Sequence, residues 1–271
     1  MVRGTISFIG RNPVLALTVA ALFFALPSLL AGLVTFAYRE RAAYLAGGGK
    51  VEPFSVAVHV GFSLLAGLLG ALPGFLGHGV LSGAMLGDIN GRHPSLARCV
   101  ATALHRSVPV LGIGFTIYLT WFLAKQAMVG AELLFPLFGG GVAFALLVVP
   151  CIIWVLCNLA AVPVAMREGL GALASMARSR ALTAGYRWPI IGLSLVVLVL
   201  ALALRAALFL AFSLAVPLIA PASIAIVGAT ASAGVTAIIW TVASIAATAT
   251  YIDLRRAKEG GGVDELVDVF S

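Results

Sequence analysis

The sequence predicts an all-α protein, a polytopic membrane bundle with six transmembrane helices and two interfacial amphipathic helices. Hydrophobic residues make up 62% of the chain and charged residues only 10%, whereas a soluble domain carries about 25% charged residues. The apolar residues fall into runs of about 20 or more, the length that crosses a bilayer as a helix. These runs do not alternate as barrel strands do, so we expect helices in a single domain, 1–271.

Six spans are expected, at about 13–38, 53–86, 107–129, 141–166, 188–213 and 222–251. The first is expected to be retained, because its apolar stretch is about twice the length of a signal-peptide core. A short loop with Pro217 and Pro221 separates the last two spans. The three cysteines, Cys99, Cys151 and Cys157, are an odd number in apolar surroundings and predict no disulfide framework.

The distribution of basic residues predicts the orientation. Twelve Lys and Arg residues precede the odd-numbered spans or follow the even-numbered ones, and four lie in the other connections. The positive-inside bias therefore predicts that both termini lie in the cytoplasm, with a cytoplasmic tail at 252–271. The same bias accounts for the net charge of +7. No nucleic-acid motif accompanies that charge, so no nucleic-acid partner is expected.

The second span is longer than a membrane requires. From Pro53 to Gly87 it would extend about 52 Å as a straight helix, against about 30 Å of hydrocarbon. Pro73 and Gly74 offer a point of interruption. Two interpretations follow: a kinked helix that packs in the bundle, or a broken helix that lines a cavity as in transporters.

The sixth span is rich in small residues such as Gly228, Ser232 and Thr236. Small residues let helix backbones approach closely where lipid supplies no hydrophobic drive between helices. We therefore expect this span at the bundle centre or at a contact between identical subunits.

Two segments between spans are predicted to be interfacial helices. In 94–106 the apolar stripe comprises Leu96, Val100 and Leu104, and in 166–188 it comprises Leu170, Leu173 and Met176–Ala177. Gly185 is expected to terminate the second helix. Both stripes are expected to face acyl chains or the bundle.

The cytoplasmic segments supply arginines for which anionic lipid headgroups are the natural partner, since guanidinium binds phosphate through a bidentate fork. The predicted lipid-binding residues are Arg98, Arg106, Arg178, Arg180, Arg187, Arg255 and Arg256. Topology determination with snorkelling is the alternative explanation for them. Asp253 is expected to pair with an arginine of 166–188 and so connect the last helix to that segment.

Four polar residues fall within or near the spans: Arg205, Glu132, His59 and His78. Arg205 either marks a functional site, pairs with Glu132, or snorkels to the outer surface. The histidines are expected to pack within the bundle, because no metal-ligand spacing accompanies them. No catalytic motif is present, so we expect neither an enzyme nor a cofactor.

The chain resembles the bacterial membrane-domain family found alone or fused ahead of glycerophosphodiester phosphodiesterases. The similarity lies in Glu168, Gly169, Arg178, Ser179, Leu182, Thr183 and Gly185, and in Tyr251, Asp253, Leu254 and Arg255. It implies a six-helix membrane protein in which Glu168, Thr183, Gly185, Tyr251 and Asp253 are structural. Phosphodiesterase chemistry belongs to a separate soluble domain that this chain is expected to lack, so no catalytic residue carries over.

The expected function is that of an accessory or lipid-handling protein, which binds anionic lipid or another membrane protein through its basic cytoplasmic surface. The alternative is a transporter of a small solute or lipid, with a path beside the broken second span and Arg205. An intramembrane enzyme that uses the histidines is the least expected. A polar cavity at mid-membrane depth would favour the transporter, and a dry core beside a basic face would favour the accessory protein.

Overall fold

A computed structural model of the protein describes residues 2–46, 53–89, 91, 93–134, 141, 144–218 and 223–259. These ranges are almost entirely helical and contain no strand. Six helices are long and apolar enough to cross a membrane: Pro13–Tyr38, Val58–Ile89, Ser107–Glu132, Phe144–Glu168, Trp188–Ala215 and Ile224–Glu259. The all-α fold class and the six spans are therefore confirmed.

The helices follow one another closely. They are α1 (Val2–Arg11), α2 (Pro13–Val19), α3 (Leu26–Ala46), α4 (Pro53–Ile89), α5 (Leu96–His105), α6 (Ser107–Leu134), α7 (Val149–Cys157), α8 (Ala161–Glu168), α9 (Ala172–Thr183), α10 (Arg187–Ala215) and α11 (Ile224–Glu259). A π-helical turn at Ala20–Ala25 joins α2 to α3, and another at Phe144–Val148 precedes α7. A 3₁₀ turn at Val216–Leu218 follows α10.

Successive spans alternate in direction, so the short helices gather on one face of the bundle. There α1 packs on α11, α5 packs on α4 and α6, and α9 packs on α6, α8 and α11. We call this side the collar face and the opposite side the far face. All the segments with many basic residues end on the collar face.

The last helix, α11, occupies the bundle centre. It packs against α3, α4 and α10 and against the π turn. Small and hydroxyl-bearing residues line its buried side: Ala233, Ala237, Thr241, Ser244, Thr248 and Tyr251. The predicted central position is confirmed, but the buried stripe is not the one that Gly228, Ser232 and Thr236 indicated, since none of those three is buried. At the periphery, α10 contributes almost no buried residues and contacts chiefly α11.

Of the two interpretations of the second span, the broken helix is wrong, because α4 is one uninterrupted helix of 37 residues with Pro73 inside it. Its glycines make room for side chains of neighbouring helices instead. A Cβ at Gly67 would collide with Tyr118, whose hydroxyl donates to the Leu64 carbonyl at 3.1 Å. A Cβ at Gly77 would lie 2.6 Å from Phe23. Close packing therefore explains the glycines of α4 better than a broken path does.

The interruption lies in the fourth span, between α7 and α8. Residues 158–160 form a turn, and the Ala161 amide bonds the Asn158 carbonyl at 3.0 Å instead of the Cys157 carbonyl. The freed Cys157 carbonyl accepts hydrogen bonds from the hydroxyls of Ser179, at 2.9 Å, and Thr183, at 3.4 Å. A carbonyl removed from water without a hydrogen-bond partner is costly, so α9 stabilises the break.

The buried face of α9 is its hydroxyl-bearing one, since Ser175, Ser179 and Thr183 face the bundle. Of the predicted apolar stripe, Met176 is also buried, whereas Leu173 is 77% exposed. No local pattern predicts a buried hydroxyl face, because the carbonyl that requires it belongs to another span.

The helix α5 is present as predicted, with its buried face displaced by one position. Cys99 and Ala103 are buried, and Leu96 and Val100 pack partly against them. Leu104, which the predicted stripe placed with Leu96 and Val100, is 55% exposed. The reason is close contact with α4, where Gly79 lies beside Ala103.

Candidate functional site

The collar face carries most of the charge that the structure describes. Nine basic residues lie there: Arg11, Arg98, Arg106, Arg167, Arg178, Arg180, Arg255, Arg256 and Lys258. Four acidic residues accompany them: Asp88, Glu168, Asp253 and Glu259. The hydrogen bonds below divide the arginines into those that brace the bundle and those that project outward.

Glu168, at the end of α8, joins three helices. Its Oε1 accepts a hydrogen bond from the Tyr251 hydroxyl of α11 at 3.0 Å, and its Oε2 accepts one from Arg178 Nε of α9 at 3.2 Å. Tyr251 is fully buried, so this carboxylate also satisfies a phenol that has no access to water. Three residues of the resembling pattern therefore meet here, because Arg178 and Tyr251 both donate hydrogen bonds to Glu168.

The end of α11 is held to α9 by two further contacts. Arg178 donates from Nη2 to Glu259, whose other oxygen accepts from Arg255 Nε at 2.8 Å. Lys258 Nζ donates to the Ala181 carbonyl. The last helix is therefore connected to the 166–188 segment. The contacts described here involve residues of α11 other than Asp253.

Arg106 caps the helix α8. Its Nη1 donates to the Ala165 carbonyl at 3.0 Å, near the end of α8, and that carbonyl also accepts the Gly169 amide at 3.2 Å. Gly169 ends α8 with φ +72°, and a Cβ there would lie 2.5 Å from Arg106 Nη1. A glycine is required for both the left-handed backbone and the approach of the guanidinium.

Gly185 follows α9 with φ +88°, as the predicted terminator of that helix should. At the other edge of the collar, Arg11 Nη2 donates to Asp88 Oδ2 at 2.5 Å. Asn12 Nδ2 approaches the other oxygen of Asp88 at 3.4 Å. These contacts fix the start of the chain against the end of α4.

The predicted lipid-binding arginines therefore fall into two groups. Arg106, Arg178 and Arg255 make hydrogen bonds within the protein. Arg98, Arg180 and Arg256 are exposed, and Arg180 contacts only the carbonyl of Met176 in its own helix among the contacts described. The side chain of Arg187 lies outside the described residues. Sequence alone could not separate Arg106 and Arg178 from the exposed arginines, because their partners lie on other helices, whereas the partner of Arg255 is four residues later in its own helix.

The predicted pair of Arg205 and Glu132 is not formed in the described part of the chain. Arg205 is exposed and lines a groove between α10 and α11, whereas Glu132 is exposed near the end of α6. The histidines are also apart, about 28 Å along α4 at helical rise. His59 is exposed with its ring 5.8 Å from that of Tyr38, and His78 is buried.

A buried polar layer between α4 and α11 escaped the sequence analysis. The Thr248 hydroxyl donates to the Ser244 carbonyl at 2.9 Å, so Ser82 is the donor in its 2.9 Å contact with Thr248. One turn toward the far face, His78 Nε2 and Ser244 Oγ are buried without a hydrogen-bond partner among the described residues. The two helices run parallel, which places His78 and Ser244 at the same level. The sequence could have indicated this layer only through an alignment of the two spans as parallel helices, turn by turn.

A cavity of about 300 Å³ lies beside α4, at the level of its glycines. Its walls are apolar apart from Ser28 and include Gly67, Gly70, Phe24 and Trp240. It shares no lining residue with the Arg205 groove. The second span and Arg205, which the transporter interpretation placed on one path, therefore border different cavities.

The described residues contain no group of three or more His, Cys, Asp or Glu side chains that could hold a metal ion. All three cysteines are free thiols. Burial raises the pKa of the Cys99 thiol, and the charge of Arg98 offsets only part of that rise.

Comparisons with family models, with curated proteins and with solved structures find no match for this chain. The resemblance drawn from the residues around Glu168 and Tyr251 therefore stays a prediction. What the fold itself establishes is a multi-pass membrane bundle with a basic, internally braced collar face.

Proposed function

We propose that this protein is a non-enzymatic accessory or lipid-handling protein of the bacterial inner membrane, with both termini in the cytoplasm, that binds anionic lipid headgroups at its collar face. The observation that carries the proposal is the division of the arginines. Arg106 and Arg178 are used to brace the helices, which leaves Arg98, Arg180 and Arg256 directed outward.

The exposed arginines stand where a bilayer would place its headgroups. Arg98 and Arg180 lie on the short helices α5 and α9, which also carry the exposed apolar side chains Leu104 and Leu173, and Arg256 lies near the end of the last span. A basic residue near an anionic membrane surface contributes about 1 kcal/mol of attraction. Loss of two should therefore weaken binding of an anionic lipid by about 30-fold.

Native mass spectrometry of the purified protein tests the proposal. Phosphatidylglycerol and phosphatidylcholine with the same acyl chains would be titrated onto the wild type and onto the Arg180→Gln/Arg256→Gln variant. We expect the wild type to retain phosphatidylglycerol preferentially and the variant to lose most of that preference.

Two controls separate headgroup binding from a general loss of charge. The Arg180→Lys/Arg256→Lys variant keeps the charge and should retain much of the preference, while Lys125→Gln removes a charge toward the far face and should retain all of it. Equal retention of the two lipids by the wild type, or no change in the glutamine variant, would refute the proposal. Co-purification of a second membrane protein or a second copy, lost in the same variant, would instead support a protein partner.

A transporter is the second candidate, and the cavity beside α4 is the observation in its favour. That cavity is apolar except for Ser28, which suits an acyl chain better than a polar solute. Membership of the membrane-domain family found beside glycerophosphodiester phosphodiesterases is likewise part of the proposal. It is supported by the contacts among Glu168, Arg178 and Tyr251, three positions of the resembling pattern.

A further inference from the structure

We propose a second lipid site, distinct from the collar: the groove at Arg205 binds one anionic phospholipid in the leaflet at the far face. Arg205 lines this groove of about 270 Å³ with Phe212 of α10 and with Gly228 and Ser232 of α11. The far-face leaflet is the outer one in the orientation proposed above. The site itself does not depend on that orientation.

The depth of Arg205 places its guanidinium near the far-face headgroups. At helical rise it lies about 27 Å from the start of α10 at Arg187 and about 15 Å from the end of that helix at Ala215. The hydrocarbon layer is about 30 Å thick. The side chain therefore reaches the phosphate level by extending toward the far face.

The charge of Arg205 has no acidic partner among the residues that the structure describes, and its side chain is exposed. A cation at this depth is costly without an anion. The phosphate of a lipid is the anion that a bilayer supplies there, and guanidinium binds it through two parallel hydrogen bonds.

The shape of the groove fits a headgroup with its chains directed inward. Its volume of about 270 Å³ has room for a phosphate and glycerol. Ser232 offers a hydroxyl on the opposite wall. Between Arg205 and the far-face ends of the helices, α10 and α11 approach each other closely, since a Cβ at Gly228 would lie only 3.2 Å from Phe212.

The acyl chains have an exposed path toward the membrane centre. Leu202 and Leu198 lie one and two turns from Arg205 on the same side of α10, and both are more than half exposed. Helix α10 is the least buried span. A lipid whose phosphate sits on Arg205 would lay a chain along this side.

Quenching by brominated lipid tests the site locally. A tryptophan introduced as Leu202→Trp, an exposed position one turn from Arg205 on the same side of α10 and outside the groove lining, would report which lipid is adjacent, with the parent protein as background. We expect brominated phosphatidylglycerol to bind about fivefold more tightly there than brominated phosphatidylcholine.

Adding Arg205→Gln should abolish that preference, and Arg205→Lys should keep most of it. Adding Arg180→Gln/Arg256→Gln, which removes the proposed collar site, should leave it unchanged, so failure at one site is distinguishable from failure at the other. Equal quenching by the two lipids, or a preference that survives Arg205→Gln, would overturn the proposal.

Discussion

The contact between Glu168 and Tyr251 offers the sharpest test of the braced collar. Tyr251→Phe removes the hydroxyl without leaving a cavity, and Glu168→Gln removes the charge while keeping the shape. A hydrogen bond to a charged group contributes about 1.5–3 kcal/mol to stability. The side chain of Glu168 is 20% exposed, and couplings measured within membranes average about 0.6 and reach about 1.7 kcal/mol. We therefore expect a coupling energy of about 1–1.5 kcal/mol.

The assay is a double-mutant cycle of reversible SDS unfolding in mixed micelles, followed by tryptophan fluorescence. Tyr251→Phe should lower the free energy of unfolding by about 1–2 kcal/mol. Glu168→Gln should lower it by somewhat more, because the partly exposed pair with Arg178 adds up to about 1 kcal/mol. Additive single effects, with a coupling below about 0.3 kcal/mol, would show that this contact does not brace the collar.

The remaining predictions also concern stability. Ser179→Ala combined with Thr183→Val removes both donors to the carbonyl at the α7–α8 break and should lower the free energy of unfolding by about 1–3 kcal/mol. The control Thr120→Val, whose hydroxyl bonds only its own helix, should lower it far less. Equal losses of stability in the two variants would contradict the role of α9. Gly114→Ala places a Cβ 2.5 Å from the Phe75 ring and should lower the thermal unfolding temperature through a cost of about 1–3 kcal/mol. Gly130→Ala, in open space on the same helix, should be neutral or stabilising, and a reversed order would refute the packing.

The number and place of the spans could be predicted because they depend on composition and length alone. Each span must satisfy its own backbone in hydrocarbon, so an apolar run of sufficient length specifies a helix. The second span shows the limit of that reasoning. Pro73 has the sequence signature of a break, yet α4 is continuous, with side chains of neighbouring helices packed closely against Gly67 and Gly77.

The break in the fourth span depends on a partner from elsewhere in the chain. Asn158 and Pro163 are weak local signals, and the turn between them is stabilised by hydroxyls about 20 residues later. The arginines show the same limit. Arg178 and Arg180 are two positions apart in one helix, and only the placement of Glu168 and Glu259 decides that the first is paired and the second is exposed.

The central claim is that the outward arginines of the collar bind anionic lipid, and electron paramagnetic resonance of spin-labelled lipids in proteoliposomes tests it most directly. The account predicts that phosphatidylglycerol is enriched over phosphatidylcholine in the lipid shell. That enrichment should fall in Arg180→Gln/Arg256→Gln, and it should weaken at 1 M salt, where the Debye length is about 3 Å. An enrichment equal in the wild type and this variant, or no enrichment at all, would contradict the account.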